Sequence, residues 1–204
     1  MNTHTALIII DAQYGFMPGG GLPVAGGDSI VPVVNRLAAR FQNVVLTQDW
    51  HPANHISFAD NHAGVQPFST VQLPYGEQVL WPRHCVQGTH DAALHADLQV
   101  DHAQLVIRKG YHPQVDSYSA FAEADGTTTG LAAYLQARGM THLYLCGLAT
   151  DYCVAWSALD ARKAGFEVSV VEDACCAIDL NGSLEQAWRD MEAAGVHRVQ
   201  SYSL

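Results

Sequence analysis

The sequence predicts a three-layer α/β/α fold, class α/β, around a six-stranded, mostly parallel β-sheet. Three observations carry this expectation. The strand candidates are short and apolar throughout, as strands covered on both faces must be. They alternate with helix-length segments, the pattern of parallel strands joined by crossover helices. Three of the helical segments run up against a glycine, at Gly139, Gly165 and Gly195, where a left-handed residue closes a helix.

In chain order, Thr5–Ile10 (TALIII) reads as a fully buried strand. Asp28–Phe41 reads as a helix with Asp28 as N-cap and Pro32 in the first turn, where its missing N–H is tolerated. Asn43–Thr47 (NVVLT) is the second strand and Leu105–Arg108 the third. Thr129–Arg138 is a helix, Leu143–Cys146 (LYLC) the fourth strand, and Asp151–Ala164 a helix. Glu167–Val171 (EVSVV), a helix over Ser183–Ala194 and a last strand over Val196–Ser201 complete the pattern. Between Gln48 and Asp101 only a weak helical pattern near Asp91–Leu98 stands out. A long irregular segment inside a compact domain is usually functional.

The chain has 204 residues, 49% of them hydrophobic and 15% charged, a composition that suits one domain over residues 1–204 with a packed core. Net charge is −10 and no basic run is present, which argues against nucleic acid as a partner. No apolar run is long enough to cross a bilayer, so no membrane partner is expected. The N-terminal stretch lacks the basic start and cleavage site of a signal peptide, and a cytoplasmic location is the expectation. Five cysteines, an odd number, read as reduced thiols. Eleven histidines, several of them between His51 and His95, are the first compositional sign of chemistry.

In open α/β sheets, ligands bind beyond the carboxyl ends of the strands. Asp11 follows the first strand, Asp49 and His51 the second, Lys109 the third and GLATDYC the fourth. Each residue alone has an ordinary explanation as a cap, a loop histidine or a solvated lysine. Their convergence on one edge does not. Asp49 and His51, two apart at a strand end, can reach one ion, and His84 in WPRHC adds a second imidazole. Carboxylate with imidazoles suits zinc, and also iron or manganese. His55 reads as a further ligand, a group behind the ligands or an exposed side chain.

Cys153 falls in the first turn of the helix from Asp151, where backbone N–H groups favour a thiolate and could hold an oxyanion. Lys109 beside it would lower the thiol pKa. Partial burial would raise the pKa of Asp11 while Lys109 would lower it, and the balance is open. Cys146 reads as core, Cys175 and Cys176 as structural and Cys85 as packing. The glycines of GFMPGGGLPVAGG do not stand directly between a strand and a helix, so they do not form a dinucleotide loop.

Taken together, LIIIDAQYGFMPGGGLPV, TQDWHPANHISFA, LWPRHCVQGT, VIRKG, DSYSAF and CGLATDYCV resemble the nicotinamidase branch of the isochorismatase-like hydrolases, in that family's order and over most of the chain. The resemblance implies an isochorismatase-like, Rossmann-like sheet and a catalytic triad of Asp11, Lys109 and Cys153. It implies one divalent metal ion on Asp49, His51 and His84, with His55 a further candidate. It also implies aromatic walls from Phe16, Trp81 and Tyr118, and a cis Leu148–Ala149 bond that turns the N–H groups of Ala149 and Cys153 toward an oxyanion. The implied reaction is hydrolysis of nicotinamide, and of pyrazinamide, through a thioester. The homo-oligomeric state common in the family is carried with it. The alternatives are another amide or carbamoyl hydrolase of the same superfamily, a non-catalytic ligand-binding protein and a thiol redox sensor. The cysteine in TDYCV argues against the second, and the absence of C-x-x-C against the third.

Overall fold

The computed structural model describes residues 3–204. Its strands, numbered in chain order, are β1 (Thr5–Ile10), β2 (Val44–Asp49), β3 (Thr70–Leu73), β4 (Gly76–Val79), β5 (Leu105–Lys109), β6 (His142–Leu148), β7 (Glu167–Cys176) and β8 (His197–Val199). The α-helices are α1 (Val31–Ala38), α2 (Leu131–Ala137), α3 (Ala155–Lys163) and α4 (Ser183–Ala193). Six strands form one sheet in the order β5-β2-β1-β6-β7-β8, and every neighbouring pair is parallel. The strand order reverses between β1 and β6, and such a switch point opens a crevice at the carboxyl ends.

β1 shows why the strands are apolar throughout. Ile8 and Ile10 point into a core with Leu131, Leu135, Val154, Ala158 and Met191, which α2, α3, α4 and the turn before α3 supply. Leu7 and Ile9 point into a second core with Val34 and Leu37 of α1. Side chains alternate along a strand, so each apolar neighbour in β1 serves a different face. Fully burying one such side chain contributes about 1.5–3 kcal/mol.

Two helix starts differ from the sequence expectation. The segment from Asp28 begins as a 3-10 turn, Gly27–Ile30, and becomes α-helical only at Val31. Gly26 in the left-handed region, not Asp28, precedes the turn, and neither start has a side-chain cap. The helix expected from Asp151 begins as a π-helical turn, Thr150–Val154, before α3.

The irregular region holds the small antiparallel hairpin β3–β4, which its sequence does not announce. Asp91–Leu98 forms turns instead of a helix. Its backbone bonds outward: His95 donates to Ala12 O, and Leu94 bridges Gln13. Among the described residues, no helix is long and apolar enough to cross a membrane.

Candidate active site

Sheet register brings the strand-end groups together. Asp49 and Lys109 are register partners at the ends of β2 and β5, and Ile10 pairs with Gly147 at the ends of β1 and β6. Asp11, one step past β1, therefore lies beside the stretch that leads to Cys153. Gly147 has φ 123°, and a Cβ there would collide with the Ile10 carbonyl. Only glycine lets β6 lie this close to β1 at that point.

Lys109 is the hub of this end. It is fully buried, and its Nζ stands 2.8 Å from Asp11 Oδ2 and 3.3 Å from Cys153 Sγ. It also donates to Ser117 O at 3.2 Å and contacts Asp49 Oδ1. Thr47 aims Asp11: its hydroxyl donates to Asp11 Oδ1 at 2.6 Å and accepts from the Asp11 N–H at 3.0 Å. The carboxylate oxygens of Asp11 and Asp49 and the Cys153 sulfur all lie within 4.8 Å of one another.

Electrostatics resolve the balance left open for Asp11. Burial raises its pKa, the nearby Asp49 adds to that, and Lys109 offsets only part. Burial likewise pushes the Cys153 thiol well above its usual range, with Lys109 pulling the other way. The expected lowering of the thiol is therefore corrected: desolvation outweighs the ammonium, and the resting sulfur carries its proton. Burial would lower Lys109, but Asp11 and Asp49 overcome it and hold the ammonium firmly charged.

Cys153 sits in the π-helical turn. Val154 and Tyr152 both donate to Ala149 O, at 3.1 and 3.2 Å, and the first of these is the i to i+5 bond that defines the turn. Such single π turns concentrate at functional sites. The Leu148–Ala149 peptide is cis. Asp151 anchors the turn by accepting from the Ile178 and Asp179 N–H groups at 3.0 and 2.8 Å.

The other end of the site is built from loops. Asp49 Oδ2 lies 3.5 Å from His51 Nε2 and 3.7 Å from His84 Nε2. Each imidazole engages a carbonyl through Nδ1, His51 with Gly110 at 2.8 Å and His84 with Pro82 at 2.7 Å. Those acceptors suit a ring proton on Nδ1, which would leave Nε2 free to ligate an ion, as metal-binding imidazoles are oriented. Gly110 has φ 61°, and a Cβ there would strike the His51 ring. Gln13 fixes Asp49 itself, accepting from its N–H at 2.8 Å and donating to its carbonyl at 2.9 Å. Burial pushes Asp49 up, but Lys109 and then His51 overcome it and hold the carboxylate well below its usual range. Three converging donors with an ionised carboxylate fit a divalent cation.

His55 is buried behind His51, with ring centroids 4.2 Å apart. Its Nδ1 meets Ser57 Oγ at 2.7 Å and its Nε2 meets Val115 O at 3.2 Å. Burial and the nearby His51 hold it down at about 4. It converges with His51 and Asp116, in a group that shares His51 but neither Asp49 nor His84 with the first.

One small cavity joins the two ends. Cys153 and Ala149 line one side, Asp49, His51 and His84 another, and Phe16, Trp81 and Tyr118 supply aromatic walls. Tyr118 OH accepts from Trp81 Nε1 at 3.0 Å, which fixes both rings. Sequence reasoning missed Leu22, Asp116, Tyr152 and Ile178, which line the same cavity. Asp116 and Tyr152 stand in the motifs DSYSAF and TDYCV, so their places beside Tyr118 and Cys153 were the available signal.

Known proteins share this arrangement of sequence and fold. The nicotinamidase of Acinetobacter baylyi is 60% identical over 202 residues, 98% of this chain and 94% of the relative. A solved structure of an Acinetobacter baumanii nicotinamidase and pyrazinamidase superposes with TM-score 0.98 at 61% identity, covering 100% of this chain and 99% of the other. A Pyrococcus horikoshii pyrazinamidase solved in complex with zinc superposes with TM-score 0.79 at 41% identity, covering 97% and 99%. The isochorismatase domain model matches residues 5–201, and the chain belongs to the isochorismatase family.

Proposed function

We propose that this chain is a nicotinamidase, a metal-assisted cysteine amidohydrolase that converts nicotinamide and water to nicotinate and ammonia and also accepts pyrazinamide. One observation carries the reading: a single cavity is lined both by Cys153, with Lys109 and Asp11 behind it, and by the Asp49–His51–His84 trio. The high identity to nicotinamidases supports the substrate. Residues 1–204 act as one catalytic domain, and the unbridged thiols suit the cytoplasm.

Asp49, His51 and His84 hold the ion, zinc before iron or manganese on this donor set. When bound, it supplies a positive anchor for the pyridine nitrogen. Phe16, Trp81 and Tyr118 sandwich the ring and exclude water, so the carboxamide faces Cys153. Asp11, its carboxyl made more basic by burial, takes the thiol proton. Lys109, 3.3 Å from the sulfur, stabilises the thiolate as it attacks the carbonyl carbon. The N–H groups of Ala149 and Cys153 hold the oxyanion, an effect worth about 3 kcal/mol per donor. The C–N bond breaks as Asp11 returns the proton to nitrogen and ammonia leaves. Asp11 then deprotonates water, which attacks the thioester; the C–S bond breaks and the thiol is restored.

The test is ammonia release from nicotinamide and from benzamide, each with and without a chelator. Rapid release from nicotinamide, lost on chelation and absent with benzamide, is the expected pattern. Equal rates on both amides in the presence of chelator would overturn the assignment.

A further inference from the structure

The hairpin β3–β4 has one buried side chain in its strands, and it is polar. That residue is Gln78, 2% exposed, while its strand neighbours are half-buried or exposed. A buried amide has to place its donors. Its Nε2 donates to Val79 O, beside it in the chain, at 2.7 Å and to Asp116 Oδ2 at 2.7 Å, and lies 3.1 Å from Tyr118 OH. Tyr75 OH donates to its Oε1 at 3.1 Å, so the amide is held with its nitrogen toward Asp116 and its oxygen toward Tyr75.

The residues that Gln78 reaches form one wall of the catalytic cavity. Asp116, Tyr118 and Trp81 line that cavity, and Gln78 stands behind them. Tyr118 OH also accepts from Trp81 Nε1 at 3.0 Å, and the two rings meet edge to face with centroids 6.2 Å apart. Asp116 is 3% exposed. Its Oδ1 accepts from the Ser117 N–H at 2.9 Å, and among the described residues Gln78 is the hydrogen-bond donor to its Oδ2. Removing that donor strands a buried carboxylate oxygen, which costs more than the bond itself contributed. The wall then relieves the loss by shifting Asp116, and with it the ring of Tyr118 two residues on. A wall that packs on the ring of a substrate acts alike on the ground state and the transition state. Disturbing it raises KM and leaves kcat near its value.

We propose that Gln78 is a positioning residue for substrate, setting from outside the cavity the spacing of the Asp116–Tyr118–Trp81 wall against which an aromatic amide packs. This role rests on the amidohydrolase reading. It gives the hairpin β3–β4 a part in that reaction although none of its residues lines the cavity.

The experiment measures KM and kcat for nicotinamide, and the calorimetric affinity for nicotinate, in wild type, Gln78→Met and Gln78→Glu. Gln78→Met keeps the length and removes both donors: KM should rise about tenfold, kcat should stay within about threefold, and nicotinate affinity should fall in step with KM. Gln78→Glu keeps the shape. Its new carboxyl donates to Asp116 when protonated and repels it when ionised. Its KM relative to wild type should therefore be smallest at the acid end of the profile and climb with pH more steeply than that of Gln78→Met. Should Gln78→Met fail to fold, the near-isosteric Gln78→Glu carries the test alone. KM within about twofold of wild type in whichever variant folds overturns the proposal. So does a loss of kcat at unchanged KM, which is what a smaller folded fraction would give. Wild type that releases no ammonia from nicotinamide sinks the catalytic reading and this role with it. Wild-type turnover with unaltered KM in the variants sinks this role alone.

Discussion

The two ends of the catalytic cavity are held by different means. At the Cys153 end, Asp11 and Lys109 are carried by strand ends of one parallel sheet, so backbone register sets their spacing. At the Asp49–His51–His84 end, His51 and His84 sit on loops, and individual hydrogen bonds do the aligning. His51 N–H donates to Cys85 O at 3.1 Å, and Asp91 accepts from the Cys85 and Gly21 N–H groups at 2.6 and 2.9 Å. The first end has the rigidity of the core behind it. The second depends on single polar contacts, any of which one substitution can remove.

The largest expected effect is at the rigid end. Cys153→Ala should lower ammonia release by at least about 10³-fold, as removal of a covalent nucleophile does. Elemental analysis should show unchanged metal content, since the loop end does not need the thiol; parallel loss of metal would break the distinction. Next comes His84→Ala, which should strip the ion and lower turnover by about 10²-fold or more. Alkylation of Cys153 by iodoacetamide should persist in that variant. A smaller effect is expected for Asp91→Ala, which touches neither end's chemistry and removes only the brace on the His84 loop. Metal affinity should weaken by about 10- to 100-fold, as for other groups that orient ligands. Competition with a chromogenic chelator measures it, and an unchanged constant would show that the loops hold themselves.

Glu123→Gln lies outside both ends and should alter turnover least. Its effect is on stability. Folding raises the Glu123 carboxyl from 4.5 to about 7, so the stability present below pH 4.5 is lost as pH rises through about 7. The wild-type denaturant midpoint, taken relative to that of the variant at each pH, should fall across that window. Parallel pH curves would refute it.

The same contrast explains what could be read from the sequence. Asp11, Asp49 and Lys109 follow apolar strands, and the rule that parallel strands present their carboxyl ends to ligands is enough to gather them. His51 and His84 were found by their residue types and motifs. The hairpin β3–β4 and the role of Asp91 were not found, because polar loop residues carry no periodicity and their partners are remote in sequence. Asp116 was passed over because an aspartate in a loop has an ordinary solvated reading; only the wall around it makes it notable. The direction of the Cys153 shift could not be read either. Local rules at a helix start favour a thiolate, whereas the degree of burial is a property of the whole fold.

Asp49 has one consequence for the enzyme as a whole. One of its oxygens contacts Lys109 and the other faces the two imidazoles. In the proposed mechanism a single carboxylate is therefore shared by both halves of the chemistry, and the occupancy of one must be felt by the other. Whatever polarises Asp49 from the ion's side changes how much of its charge is left for the ammonium, and so how readily the neighbouring sulfur ionises. With the ion held as proposed, thermodynamic reciprocity makes the traffic two-way: loading the ion shifts the thiol's pKa, and ionising the thiol shifts the ion's dissociation constant by the same free energy. The proposed site is thus a linked pair of equilibria, in which a saturated ion site keeps its metal while ion affinity and thiol ionisation shift each other even when no substrate is bound.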